Sequence, residues 1–246
     1  KMRNFDFVYS GIFILLFVLS GCSNNLKTTT ENADPFEGLN RNIFAFNKSL
    51  DQNIVSPVSS AYVNTIPYSV RKSVSNHLEW MDTPSIIVNS ALQMNLENTI
   101  LASAKFMLNG LSFGFYDFDN NETKIDKKDL GSTLAKFNVP EGPFLMIPLL
   151  GPKTVRDFTG TVSDRQSLSN ISSKSVKNLS LVEIPVNLVD KRSKLAKNID
   201  NIYESPDPYT KMKSYYMQNR RKNVYGDEYL EVKNNKSDLE FEKLLQ

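Results

Sequence analysis

The chain of 246 residues contains a single cysteine, Cys22, and a single histidine, His77. One thiol excludes a disulfide framework or a Cys–Cys redox pair within the chain, and Cys/His zinc sites go with them; no metal site is expected. One imidazole leaves almost no room for histidine-based acid–base catalysis. An excess of charge of one sign is missing too: 29 Lys+Arg stand against 27 Asp+Glu, a formal charge of +2. Charge this balanced gives no electrostatic reason to wrap nucleic acid. Strand-type alternation is weak everywhere. What remains is an ordinary composition, 40% hydrophobic and 23% charged, in a chain long enough for one large domain or two small ones.

The first residues read as an address. Lys1 and Arg3 make a short basic start, and Phe7 to Leu19 is uncharged and largely apolar. Spanning a bilayer takes about 20 residues, so this run fits the h-region of a signal peptide better than a membrane anchor. It ends in Leu19-Ser20-Gly21-Cys22, which looks like a bacterial lipobox. Small residues let a peptidase reach the bond before Cys22, whose thiol then receives a diacylglycerol, with a further acyl chain such as palmitate. The other reading is a plain signal peptide followed by a chance cysteine. Two or three chains anchor stably where one binds only marginally. Ser23 is compatible with passage to the outer membrane.

The expected domains are a signal peptide (1–21), a lipidated polar tether (22–33), a helical domain (34–227) and a charged, flexible tail (228–246). Asp34-Pro35-Phe36-Glu37 reads as a capped helix start, with Asp34 as cap, Pro35 at the first position and Glu37 closing a capping box. Phe36, Leu39, Ile43, Phe46 and Leu50 then recur along one helix face. Pro57, Thr83-Pro84, Asn95, Asp129, Pro185 and Asp207-Pro208 read as further helix openings, and Asn109-Gly110 as a stop with a left-handed turn. Phe144 to Leu150 is apolar but contains Pro148. The class is mainly α.

Catalytic motifs fail on inspection. Gly110-Leu111-Ser112-Phe113-Gly114 matches the nucleophile elbow G-x-S-x-G. Its serine needs a base. His77 precedes Ser112, the wrong order for that fold, and a helical pattern rather than a strand precedes Gly110. Gly151-Pro152-Lys153-Thr154 lacks the upstream glycine of a phosphate loop. Asp117, Asp119 and Glu122 lack calcium-site spacing and read as a solvated loop. Arg220-Arg221-Lys222 could meet anionic lipid heads, but offsetting a helix dipole is the favoured reading. No catalytic residue and no enzyme activity are expected.

Several strings together resemble the MlaA (VacJ) family of outer-membrane lipoproteins. They are Asp34-Pro35-Phe36-Glu37-Gly38-Leu39-Asn40-Arg41, with Phe44, Phe46 and Asn47 following; Asp82-Thr83-Pro84 with Val88-Asn89; and Phe106, Asn109, Gly110, Gly114 and Asp117. Next come Gly131-Ser132-Thr133-Leu134, Gly142-Pro143-Phe144, Pro148, Gly151-Pro152 and Arg156-Asp157. Last are Asp207-Pro208-Tyr209, Tyr215, Tyr216, Gln218 and Arg220. Each block is weak alone; the collinear set is specific. The resemblance implies a ring of amphipathic helices within the periplasmic leaflet, beside a trimeric outer-membrane porin. A central channel would take phospholipid strayed into the outer leaflet and pass it to a periplasmic lipid-carrier protein, maintaining lipid asymmetry. It implies no cofactor beyond the covalent diacylglycerol and acyl chain on Cys22. By similarity, the pore-lining hairpin is Gly131 to Gly151, with Gly131, Phe137, Asn138, Val139, Gly142, Pro143 and Phe144 as channel candidates. Asn138 and Pro140 stand where the family usually has glycines, and proline restricts the backbone that glycine frees. Ser112 also stands where glycine is common.

The residues suit such a conduit. Exposing two sixteen-carbon chains to water costs on the order of 25 kcal/mol, at about 0.8 kcal/mol per CH₂. Amphipathic helices without a spanning segment can shelter the tails from within one leaflet. The alternative is a structural porin-associated lipoprotein without transport activity.

Overall fold

In a computed structural model, the protein is described over residues 34–119, 122–171 and 174–226. The expected signal peptide, Cys22 with its tether, and the charged tail after residue 227 lie outside the described residues. Lys1–Pro35 and Phe36–Gln246 separate as two units, and the second holds all the described helices and strands. Its elements are α1 (Glu37–Leu50), a π-helical segment (Asp51–Val55), α2 (Ser56–Thr65), α3 (Tyr68–Leu92), α4 (Leu96–Gly110) and α5 (Leu130–Lys136). They continue with β1 (Phe144–Ile147), β2 (Gly151–Thr154), α6 (Val155–Ile171), α7 (Lys174–Tyr203) and α8 (Pro208–Tyr225). The mainly α class is the one the chain adopts.

Three helix starts follow their local chemistry. The side chains of Asn95, Asp129 and Asp207 accept the N–H of Asn98, Ser132 and Thr210 respectively, and Asp129 forms a full capping box with Ser132. Pro57 lies in the first turn of α2, although the backbone runs on helically into it from the π-helical segment, with Val55 and Ser56 both in the right-handed helical region. Other expectations are corrected. Asp34 does not cap α1: the N-cap is Phe36, without a side-chain bond, and Glu37 instead pairs with Arg41 at 2.8 Å. Thr83-Pro84 opens no helix, because α3 runs through Pro84; Pro185 likewise lies inside α7. Packing against α4 holds α3 on both sides of Pro84. Trp80 stacks on Phe106 at 5.1 Å, and Ser90 Oγ accepts from Asn98 Nδ2 at 2.7 Å. The left-handed turn after α4 falls at Phe113 (φ 53°) and Gly114 (φ 77°) rather than at Gly110.

β1 and β2 form an antiparallel hairpin with Phe144 opposite Thr154 and Ile147 opposite Gly151. The hairpin is therefore shorter than the Gly131–Gly151 span expected, since Gly131 belongs to α5. The free edge of β1 would leave backbone groups unpaired. Two asparagines of α1 supply partners. Asn40 donates to Phe144 O at 3.0 Å and accepts from Met146 N at 2.8 Å. Asn47 donates to Ile147 O and accepts from Leu149 N, both at 2.9 Å. Around this joint lies the apolar core: Phe44, Phe144, Met146 and Tyr209, with Tyr203, Met212 and Tyr216 against it. Arg41 locks α1 to the start of α8 through a paired contact with Asp207 at 3.0 and 2.8 Å. Arg192 of α7 fixes the π-helical segment through Asp51 at 2.9 Å, and Ser75 of α3 donates to Asp190 of α7 at 2.7 Å.

Among the described residues the usual partition is inverted. Polar and charged side chains outnumber apolar ones in the buried set, and Asn40, Asn89, Thr154 and Ser90 are the largest of the fully buried side chains. Many large apolar side chains face outward, Met94 at 82% and Leu111 at 76% exposure among them. Buried polar groups and exposed apolar patches are the informative departures from an ordinary globule.

Candidate functional site

A cavity of about 750 Å³ opens between α3, α4 and the segment that follows α4, with β2, α6 and α7 completing its wall. Trp80 stands in it, its indole N–H donating to Phe106 O at 2.9 Å. Side-chain amides fix the wall. Asn109 donates to Asp117 at 3.0 Å and accepts from Phe118 N at 3.1 Å. Asn98 grips the backbone of Asp126 from both sides, at 3.0 and 2.8 Å. Lys105 lies 3.3 Å from Asp119 and 3.6 Å from Asp117. The N–H and hydroxyl of Thr123 bond Asp119 and hold its carboxyl below the usual range. The loop expected to be solvated is thus a tied wall, and among the described residues no His/Cys/Asp/Glu cluster could hold a metal.

Behind the wall sits an ion cluster. Arg220 of α8 donates to both oxygens of Asp129 at 2.7 and 2.8 Å, and to Asp157 Oδ1 at 2.7 Å. The Tyr216 hydroxyl donates to Asp157 Oδ2 at 2.6 Å. Arg156 lies 4.0 Å from Asp157 and donates to Val139 O at 3.0 Å. Burial pulls the Arg220 guanidinium down, but its bonds to Asp129 and Asp157 override this and raise it. Burial alone would push Asp129 up; Arg220 holds it below its ordinary value. Burial and Asp157 raise Tyr216, whereas burial and Arg220 lower Lys153. The cluster ties α5, α6 and α8 to the end of the hairpin. Of the basic run, Arg220 is therefore an interior residue, whereas Lys222 stands in the last turn of α8, where a cation offsets the helix dipole as expected.

This junction requires glycine. A Cβ on Gly131 would come within 2.6 Å of both Arg220 Nη2 and Asp157 Oδ1, and one on Gly160 within 2.5 Å of Gly131 N. Gly131 is therefore buried where helices meet. Phe144 is buried in the apolar core. Phe137, Asn138, Val139, Gly142 and Pro143 share one exposed connection between α5 and β1. None of the seven hairpin candidates belongs to the cavity wall. Asn138 (φ 60°) takes the left-handed conformation itself, which asparagine tolerates. Cys22 lies outside the described residues.

Ser112 and His77 are committed to the turn after α4. Ser112 Oγ bonds Asn109 O at 3.1 Å and accepts from Tyr116 N at 2.9 Å. His77 donates to Phe113 O at 2.6 Å and stacks on Phe115 at 4.4 Å. The turn presents Leu111, Phe113, Phe115 and Tyr116 outward, continuing the exposed Leu96, Ile100 and Met107 of α4. No described helix is long and apolar enough to cross a membrane.

Of the wall residues, Trp80 and Asp164 belong to no motif, while Asp129 reads only as a helix opening and Lys153 only as part of an incomplete phosphate loop. One signal was available: Asn40, Asn89, Asn98 and Asn109 sit within or beside apolar helical patterns, where asparagine is disfavoured unless it makes bonds elsewhere.

The comparisons agree with this architecture. Residues 32–223 match the family model described as MlaA lipoprotein. A protein of Haemophilus influenzae, the intermembrane phospholipid transport system lipoprotein MlaA, is 27% identical over 229 residues, covering 89% of this chain and 91% of that protein. The Escherichia coli protein of the same name is 28% identical, covering 82% of each. An uncharacterized protein of Rickettsia felis is 30% identical, covering 78% of each. A solved structure, reported as the structural basis for maintenance of bacterial outer membrane lipid asymmetry, matches with a TM-score of 0.68 and 27% identity. It covers 78% of this chain and 100% of its own. With that family model matched over most of its length, this chain belongs to the MlaA lipoprotein family.

Proposed function

We propose that the protein is the outer-membrane lipoprotein of an intermembrane phospholipid transport system. Lipid on Cys22 anchors it, its exposed apolar side chains sit among acyl chains of the periplasmic leaflet, and the polar cavity carries head groups. Phospholipid that has strayed into the outer leaflet enters from the membrane and leaves to a periplasmic carrier protein. A trimeric porin beside the helices holds the protein at the right depth. The chain moves lipid and breaks no bond. The observation that carries this reading is the pairing of an apolar exterior with a polar cavity in a member of this family. The energetics agree: a tail that never leaves apolar surface avoids about 0.8 kcal/mol per CH₂ of exposure.

The candidate channel residues fit this reading in a narrower form. The exposed connection Phe137–Pro143 is proposed as a lip beside the lipid, with Phe144 and Gly131 holding it in place from the core and the ion cluster. The test is a deletion strain carrying the wild-type or the Cys22→Ala gene, scored for outer-leaflet phospholipid and detergent sensitivity. Both should rise on deletion and return to normal only with the wild-type gene. An unchanged outer leaflet in the deletion strain would leave the structural porin-associated reading standing instead.

A further inference from the structure

The cavity wall carries as many lysines as carboxylates, yet the two sets are not equally occupied. Asp129 is held by Arg220, and Asp164 by Leu130 N–H and Asn89. Glu79 lies within 4.0 Å of both Lys127 and Lys194, Asp117 is bonded by Asn109, and Asp126 pairs with Lys128. Asp82 also has a partner. Arg220, from outside the wall, is shared between Asp129 and Asp157, and Lys194 bridges Asp190 at 3.0 Å and Glu79 at 3.9 Å. Among the described residues, Lys124, Lys153 and Lys191 of the wall have no carboxylate within ion-pair distance.

We propose that this cavity selects net-negative, phosphate-bearing lipid head groups, with Lys153 and Lys191 as phosphate contacts and Lys124 at the rim. The inference rests on the conduit reading and specifies its substrate class. Lys153 projects from β2, one residue before buried Thr154, at the edge of the ion cluster. There Asp129 and Asp157 are both taken by Arg220, so an anion in the cavity would give the nearby Lys153 ammonium a partner of its own. Burial and Arg220 lower the Lys153 pKa, with Lys191 adding to the effect. A bound anion relieves that disfavoured state, because an opposite charge favours the ammonium form. A volume of about 750 Å³ suits a ligand of drug size, hence a head group with its tails running out along the apolar exterior.

Trp80 is the chain's one tryptophan and stands in the cavity, so its emission reports occupancy directly. The full lipidated protein in detergent is titrated with dihexanoyl-phosphatidylglycerol, dihexanoyl-phosphatidylcholine and inorganic phosphate. The anionic lipid should bind about tenfold tighter than the zwitterionic one and than phosphate. The Lys153→Gln/Lys191→Gln double variant should reduce that preference to about twofold or less, with helix content unchanged. Should the variant fail to fold, the wild type decides alone: added salt must weaken the anionic lipid and spare the zwitterionic one. Equal binding of the two lipids overturns the selectivity, as does a salt effect shared by both. Phosphate binding as tightly as the anionic lipid overturns it in favour of a free-anion site. If neither lipid binds, the conduit reading itself fails.

Discussion

Arg220→Met removes the guanidinium while keeping most of the side chain's length, and its cost can be worked from the cluster. Three hydrogen bonds of 2.7 to 2.8 Å disappear. Their two acceptors differ in surroundings: the Asp129 side chain is 46% exposed, the Asp157 side chain 4%. Water takes over at Asp129, so its share is at most about 1 kcal/mol. Asp157 is left as a buried charge, a loss that typically costs about 3–5 kcal/mol. Tyr216 still donates to it and Arg156 remains 4.0 Å away, which places the total near the lower bound, about 3 kcal/mol. In a folding unit of this size each kcal/mol moves the midpoint by about 2–4 °C, giving a fall of about 6–12 °C. Melting in mild detergent, followed by circular dichroism, measures it. Adding Asp157→Asn to the variant should restore at least half of the loss, because the stranded charge is gone. A fall under about 2 °C, or a double variant weaker than the single one, refutes the reasoning.

Acid should loosen the fold in a defined direction. Asp207 is depressed by its bonds to Arg41 and Thr210, and Asp129 by Arg220. A lowered folded pKa stabilises above the unfolded value and is lost as pH falls through the folded one, so denaturant resistance should decline below about pH 4. Asp207→Asn keeps the cap without the charge and should flatten that decline. Gly114→Ala should cost far more than Gly151→Ala in a thermal melt. Both glycines have positive φ, but a Cβ at 114 meets Trp80 Cβ at 2.5 Å and one at 151 meets nothing, leaving only the left-handed penalty of about 1–2 kcal/mol. Leu111→Asp, on the exposed turn, should weaken vesicle flotation about tenfold or more while its melt in detergent stays within about 2 °C, since a fully transferred leucine is worth about 1.5–3 kcal/mol.

Legibility followed the range of the forces. Asn95, Asp129 and Asp207 announce helix starts because a cap acts over three residues, and the mainly α class follows from periodicity alone. Pro84 and Pro185 read locally as helix openings yet lie inside helices; at Pro84 packing across the fold overrides the local penalty, since the stack of Trp80 on Phe106 holds the helix from outside. Asn40 and Arg41 were legible as family motif members, but not as strand partner and helix lock, since their bonds span more than a hundred residues. The cavity was hidden for the same reason: its wall gathers α3, α4, β2, α6 and α7, and no window of sequence contains that arrangement. Arg220 stands among neighbouring basic residues that look solvated, and only Asp129 and Asp157, from other helices, make it an interior residue.

The inverted partition has a consequence for how such a polypeptide reaches its workplace. A surface with Met94, Leu111 and Met107 outermost has no favourable state in an aqueous compartment, and on the proposed route the periplasm is one. On that route those side chains would need an escort that masks them until lipid replaces it. Left uncovered, such a surface would favour self-association over the solitary state.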